Sequence, residues 1–153
     1  MRLSNRNKAS AYNFIHTLLL MFLIAGAGAF ILEEYKFDIL GWESIFLITV
    51  PILFLGIFYL NGRQIFEYDS DGEALHFRNR NIIPFLSKPL SDEFPKYKLV
   101  SYEIIDIFFI KRLYIKISSK NSGSIMLKYE ISFLTKKEVN DLKASLNKVV
   151  KSN

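Results

Sequence analysis

The chain has 153 residues, half of them hydrophobic, no cysteine and a formal charge of +5. Without thiols it can hold no disulfide, no thiolate nucleophile and no cysteine-based zinc or iron–sulfur site, a usage that fits a reducing compartment. The charge is uneven: residues 1–62 balance four basic against four acidic side chains, so the excess lies in residues 63–153, with sixteen Lys and Arg against eleven Asp and Glu. A mild excess spread along many segments reads as a solvated surface, not a nucleic-acid footprint.

Two apolar runs come first. Between Tyr12 and Leu32 the only strongly polar side chains are Asn13, His16 and Thr17, and between Leu40 and Leu60 they are Glu43, Ser44 and Thr49. Each run is 21 residues. As helix that is ~31 Å, enough for a hydrocarbon core of ~30 Å. The sequence predicts a transmembrane hairpin over residues 1–62, with helices over about 12–32 and 40–60, followed by a soluble domain over 64–150.

The stretch "AGAGAF" (25–30) also satisfies the A-x-A pattern of a signal-peptidase site behind a basic n-region. Against cleavage, the apolar run continues through Ile31 and Leu32, and a second span follows after only seven residues, "EEYKFDI". Both outcomes give one orientation. Arg2, Arg6 and Lys8 flank the first run without an acid, the connector carries one Lys against three acids, and Arg63 follows the second run. Positive flanks stay inside. The expected location is a bacterial inner (cytoplasmic) membrane, multi-pass, with the N-terminus and the C-terminal domain cytoplasmic.

Tyr12 and Tyr59 would mark the inner interface and Tyr35 and Trp42 the outer. Ala25 and Ala29 share a helical face, with Gly26 and Gly28 beside them, so another helix can approach closely. That neighbour is either the second helix, which offers Gly56, or a helix of a membrane-protein partner. Pro51 interrupts the second span and should bend it. His16 and Glu43 lie near opposite interfaces and read as snorkelling residues.

From Gln64 the pattern has period two. Phe66 and Tyr68 oppose Ile65, Glu67 and Asp69; "DSDGE" (69–73) is a hairpin signal; Leu75 and Phe77 then oppose His76, Arg78 and Arg80. The proline-rich "NIIPFLSKPLSDEFPK" (81–96) reads as an irregular connection. Strands return over Tyr97–Ile105 and Arg112–Lys120, turn at "KNSG" (120–123), and resume with Ile125, Leu127, Tyr129 and Ile131 on one face. In "FLTKKEVNDLKASLNKVV" Thr135 and Glu138 make a capping box, and Leu134 with Val139 a hydrophobic staple. Val139, Leu142, Leu146 and Val149 form the buried stripe of a last helix.

The opening hairpin "IFEYDSDGEALHFRN", the lead-in "FPKYKLVSYEII" and the closing "YEISFLTKKEVNDLKASLNKV" are together similar in order and spacing to the bacterial pleckstrin-homology-like (PH-like) domain family, over about residues 64–150. The resemblance implies a curled antiparallel sheet capped by a C-terminal α-helix, in the membrane-hairpin version of that family, and a binding module with no enzymatic role. One departure is that the first hairpin loop holds Asp69, Asp71 and Glu73 and no base, which repels phosphate. Those acids also lack the twelve-residue spacing of a calcium loop.

The enzyme classes find little support. His16 lies in an apolar run and His76 on a strand, and neither a glycine-rich phosphate loop nor an H-E-x-x-H motif is present. No cofactor, metal or small-molecule substrate is expected. Two functions remain: an adaptor or accessory subunit of an inner-membrane assembly, or a sensor of anionic lipid through a basic face of Lys96, Lys98, Lys111 and Arg112.

Overall fold

A computed structural model describes residues 1–83, 87–119 and 123–151. The chain forms two units, Ser10–Leu60 and a second made of Met1–Ala9 with Asn61–Asn153. The first contains most of α1 (Ala9–Leu32), a π turn at Glu33–Phe37, a 3-10 turn at Gly41–Ile45 and α2 (Phe46–Leu60). Its two helical stretches, Arg6–Phe37 and Gly41–Leu60, are each long and apolar enough to cross a membrane.

The acidic connector is mostly helix end. Asp38 takes a left-handed conformation (φ 46°) that closes the π turn, and the Glu33 carboxylate folds back to accept the amide N–H groups of Ile39 and Leu40. One buried acid therefore satisfies the two amides just ahead of the second helical stretch.

The second unit holds the strands β1 (Arg2–Ser4), β2 (Ile65–Asp69), β3 (Ala74–Arg80), β4 (Leu90–Pro95), β5 (Leu99–Ile107), β6 (Ile110–Ser119) and β7 (Gly123–Glu130), and the helix α3 (Lys136–Lys151). All pairings are antiparallel. They give a four-stranded sheet in the order β1-β2-β3-β4 and a three-stranded sheet in the order β5-β6-β7. The single curled sheet expected from the sequence is therefore corrected to two sheets. The break falls where Pro95 removes a ladder donor and a 3-10 turn, Lys96–Lys98, leads into β5, itself bulged between Leu99 and Ser101.

One apolar core joins the pieces. Leu3, Phe66, Tyr68, Leu75, Phe77 and Phe94 of the first sheet meet Leu113, Ile115 and Tyr129 of the second, with Leu142 and Leu146 of α3 fully buried among them. Phe77 stacks on Tyr129 at 4.9 Å between ring centroids, across the two sheets. The last helix starts as its capping box requires: the Thr135 N–H donates to Glu138 at 2.7 Å, and the Glu138 N–H to the Thr135 hydroxyl at 3.3 Å.

Two strands were not visible as strands in the sequence. β1 is one. β4 is the other, inside the segment 81–96 expected to be irregular. It is an edge strand, where flanking prolines are tolerated, and its inward acid, Asp92, accepts the Tyr129 hydroxyl at 2.7 Å. Residues 84–86 of that segment, and 120–122 of the "KNSG" turn, lie outside the described residues.

Leu142 is fully buried at the centre of the α3 stripe. Leu142→Ala should destabilise the second unit by about 3 kcal/mol, and Leu142→Asp should abolish its cooperative melt. A thermal melt of the full chain in mild detergent checks both.

Candidate functional site

The features that stand out lie at one end of the two sheets, where the chain leaves for Ser10 and returns from Leu60. Ser4 sits opposite Glu67, so the segment before the first apolar helix and the segment after the second are neighbours in one sheet. Residues 1–9, expected from the sequence to belong to the hairpin, group instead with the unit that holds the sheets, Arg2–Ser4 as a strand.

Buried amides hold this end together. Asn5 is fully buried; its Nδ2 donates to the Gln64 carbonyl and its Oδ1 accepts the Phe66 N–H, both at 2.8 Å. Asn79, also fully buried, donates to the carbonyls of Ile65 and Glu130 and accepts the Glu130 N–H at 2.9 Å, which ties β2 and β3 to β7. Gln64 bridges the Gly62 carbonyl and the Ile82 N–H. Each amide is satisfied by backbone, as a buried polar group must be.

Charges complete the collar. The Glu130 carboxylate accepts the Arg63 backbone N–H at 2.7 Å and lies within 3.4 Å of its guanidinium. It rests against Gly62, whose φ of +84° and missing Cβ make room for it. On the other strand of chain, Lys8 donates to both oxygens of Glu138 at 2.8 and 3.0 Å. Burial alone would raise the Glu138 carboxyl, but the hydrogen bonds from Lys8 and Thr135 outweigh it and hold the group below its ordinary value. The capping acid of α3 thus also anchors the residue that precedes α1.

The outer face of the first sheet is a charge ladder around an open groove of about 800 Å³. Arg2, Asp69, His76 and Glu93 lie opposite one another across the four strands, with Ser4, Glu67, Arg78 and Ser91 in the next row. The Arg2 Nε donates to Asp69 at 2.8 Å, and His76 lies 3.5 Å from Glu93. The acids of the first hairpin loop therefore have a structural task. Asp69 and Asp71 receive Arg2, and Asp71 also receives the Met1 amine. Asp69 is held below its ordinary value first by the Asp71 N–H and then by Arg2. Among the described residues, no group of three or more His, Asp or Glu is placed to hold a metal ion.

The chain matches no family model, no curated protein and no solved structure.

The four basic residues singled out in the sequence are not one face. Lys96 and Lys98 precede β5, beside the β2–β3 turn through the bond from the Lys96 N–H to the Glu73 carbonyl. Lys111 and Arg112 lie on β6 opposite Asp106 and Ile105, near the other end of β5, with Arg112 also opposite Glu130. The length of β5, roughly 27 Å at ~3.4 Å per residue, separates the pairs. Two basic sites replace one.

In the Ser10–Leu60 unit the small residues also divide. Gly26 alone is buried: a Cβ there would collide with the Leu47 carbonyl oxygen and press on the Pro51 ring. Pro51 has no N–H, so the Leu47 carbonyl lacks its helical donor and is free to meet the Gly26 backbone. Ala25, Gly28 and Ala29 are exposed, and a Cβ at Gly28 or Gly56 would meet nothing. His16 does not snorkel. It is buried, with its Nε2 2.6 Å from the Tyr59 hydroxyl, while Glu43 is exposed. The sequence could have signalled Gly26 through Pro51, because a proline's i−4 carbonyl favours a close neighbour without a Cβ.

Because the folded Glu138 carboxyl is held low, its contribution is complete above the unfolded value of ~4.3 and is lost as pH falls through the lower folded value. Melting temperature should therefore fall more steeply below about pH 4 in the wild type than in Glu138→Gln, which should be the less stable protein at pH 7 by about 1 kcal/mol. Parallel acid profiles of the two would contradict the assignment. Separately, Gly26→Leu should weaken the hairpin, seen as faster exchange of amides in α2, whereas Gly28→Leu should not.

Proposed function

We propose that the protein is a non-enzymatic interaction module fixed in the bacterial inner membrane by a helical hairpin, an accessory or adaptor subunit of an assembly there. The observation that carries this reading is the pairing of β1 with β2, Ser4 opposite Glu67. It makes the apolar hairpin an insertion within a folded domain, so both ends of the hairpin share a side of the membrane with that domain. The basic flanks Arg2, Arg6, Lys8 and Arg63 assign that side to the cytoplasm.

A single anchor could be lost or swapped without altering a domain. Here each end of the hairpin enters through its own clasp, Lys8–Glu138 and Arg63–Glu130. Such a double attachment suits a module that must hold a partner in the membrane and another at the surface. Within the bilayer, the exposed Ala25, Gly28 and Ala29 leave a face of low relief for a partner's helix, since Gly26 alone serves the hairpin. The non-enzymatic reading is supported by His76, which the cross-strand ladder with Asp69 and Glu93 accounts for. The order of antiparallel strands followed by a terminal helix supports, within this proposal, the resemblance to the bacterial PH-like family.

Single cysteines at Lys36 and Lys137, in a chain that has none, test the topology. An impermeant thiol reagent on spheroplasts should label position 36 and spare 137; labelling of 137 would overturn the orientation. Ala25→Leu with Ala29→Leu should leave thermal stability within about 0.5 kcal/mol of wild type but remove co-purifying membrane proteins. A wild-type chain that runs alone in gentle detergent contradicts the adaptor role.

A further inference from the structure

The β5–β6 hairpin closes with the residues Ile107-Phe108-Phe109-Ile110, in which Ile107 pairs with Ile110 and the two phenylalanines form the turn. Their side chains are not tucked back. Ile107 is 65% exposed, Phe108 90% and Phe109 61%, and the two rings meet edge to face at 5.2 Å. Phe108 has φ of +56°. That is the first central position of a two-residue hairpin turn, where glycine or asparagine is the usual choice and a bulky side chain is strained. A turn chosen for stability would not have this composition.

The position of the tip indicates what covers it. Arg112, two residues beyond Ile110, lies opposite Glu130, and the Glu130 carboxylate holds the backbone of Arg63, three residues after the second apolar helix ends at Leu60. The tip thus extends from the end of the second sheet at which the chain arrives from its apolar hairpin. Lys8, Arg63, Arg80, Lys111 and Arg112 gather at this same end, Lys111 with Asp106 at 3.5 Å. Exposed aromatic and aliphatic side chains backed by basic ones are the composition of a segment that enters the headgroup region of an anionic leaflet. A protein groove would supply the apolar contact but would not call for the basic surround.

We infer that the Ile107–Ile110 tip inserts into the cytoplasmic leaflet of the bilayer, with Lys111 and Arg112 on anionic headgroups, as a third membrane contact beside the two helices. This rests on the proposed membrane anchoring and gives the domain a sensor of the lipid surface distinct from the first hairpin loop, whose acids are committed to Arg2. Aromatic insertion fixes the domain's tilt, so the availability of its charged outer face depends on the lipid beneath it.

The test uses the full chain in vesicles of phosphatidylcholine, alone or mixed with phosphatidylglycerol. An environment-sensitive dye is attached to Ile107→Cys, with Lys137→Cys as the exposed control. The dye at 107 should emit to the blue of the control and be quenched several-fold more by nitroxide-labelled lipid, more strongly with phosphatidylglycerol present. The Phe108→Gly/Phe109→Asn variant replaces the strained turn with one suited to a two-residue hairpin, so it should melt no lower than wild type while quenching falls to the control level. Alkaline carbonate extraction of the same vesicles reads the anchoring separately. A chain that is washed out defeats the anchoring reading. A chain that stays, with a water-like and unquenched dye at 107, overturns tip insertion alone. A dye shielded from water yet not quenched by the lipid label means that a protein surface covers the tip, and overturns it too.

Discussion

A three-residue strand controls the topology of this protein. Arg2–Ser4 pairs with β2 across an intervening stretch of sixty residues, most of it apolar. Backbone hydrogen bonds alone would make such a short edge weak. What holds it is what surrounds it: Leu3 in the core, Asn5 bonded twice to the backbone around Gln64 and Phe66, and Arg2 on Asp69 and Asp71. Once that strand is in place, the apolar helices can only be an excursion that starts and finishes at the same end of the sheets. The collar of Asn5, Gln64, Asn79, Glu130 and Glu138 then follows, because two chain crossings at one place bring backbone groups into the interior that need partners.

The collar also explains why acids and amides appear where a simple anchor would need none. Glu130 holds the returning chain through Arg63, and Glu138 holds the departing chain through Lys8 while capping α3. α3 lies across the core through Leu142 and Leu146. A displacement of the first crossing would therefore pull on the start of the helix that closes the domain.

Much of this was legible in the sequence and some was not, for physical reasons. The two long apolar helices were plain because each comes from a largely apolar run of 21 residues. The α3 cap was plain because Thr135 and Glu138 act on each other three residues apart, where local spacing is sufficient. β1 was hidden because three residues, "RLS", carry no measurable period and gain their partner only through the fold. β4 was hidden by its prolines and by Asp92, an inward acid that makes sense only beside the Tyr129 hydroxyl. Burial, and then that bond to Asp92, pushes Tyr129 well above its usual range, so the phenol stays a donor. The rotation of α1 was hidden as well: periodicity groups Ala25 and Ala29, but only the meeting with Pro51 and Leu47 selects Gly26. The basic residues followed the same rule, since four similar side chains in sequence proved to be two pairs at opposite ends of β5.

The insertion of the hairpin within the domain is the central claim, and a cross-link tests it most directly. Residues opposite each other in an antiparallel pair have Cα atoms ~4.5–5.5 Å apart, within the reach of a disulfide. In the cysteine-free chain, Ser4→Cys with Glu67→Cys should oxidise in isolated membranes to an intramolecular disulfide, seen as a reductant-sensitive shift in gel mobility. Ser4→Cys with Ser91→Cys, which places the second cysteine three strands away, should not. Equal cross-linking of both pairs, or of neither, would show that the N-terminal segment is not a strand of this sheet, and the double attachment would fail with it.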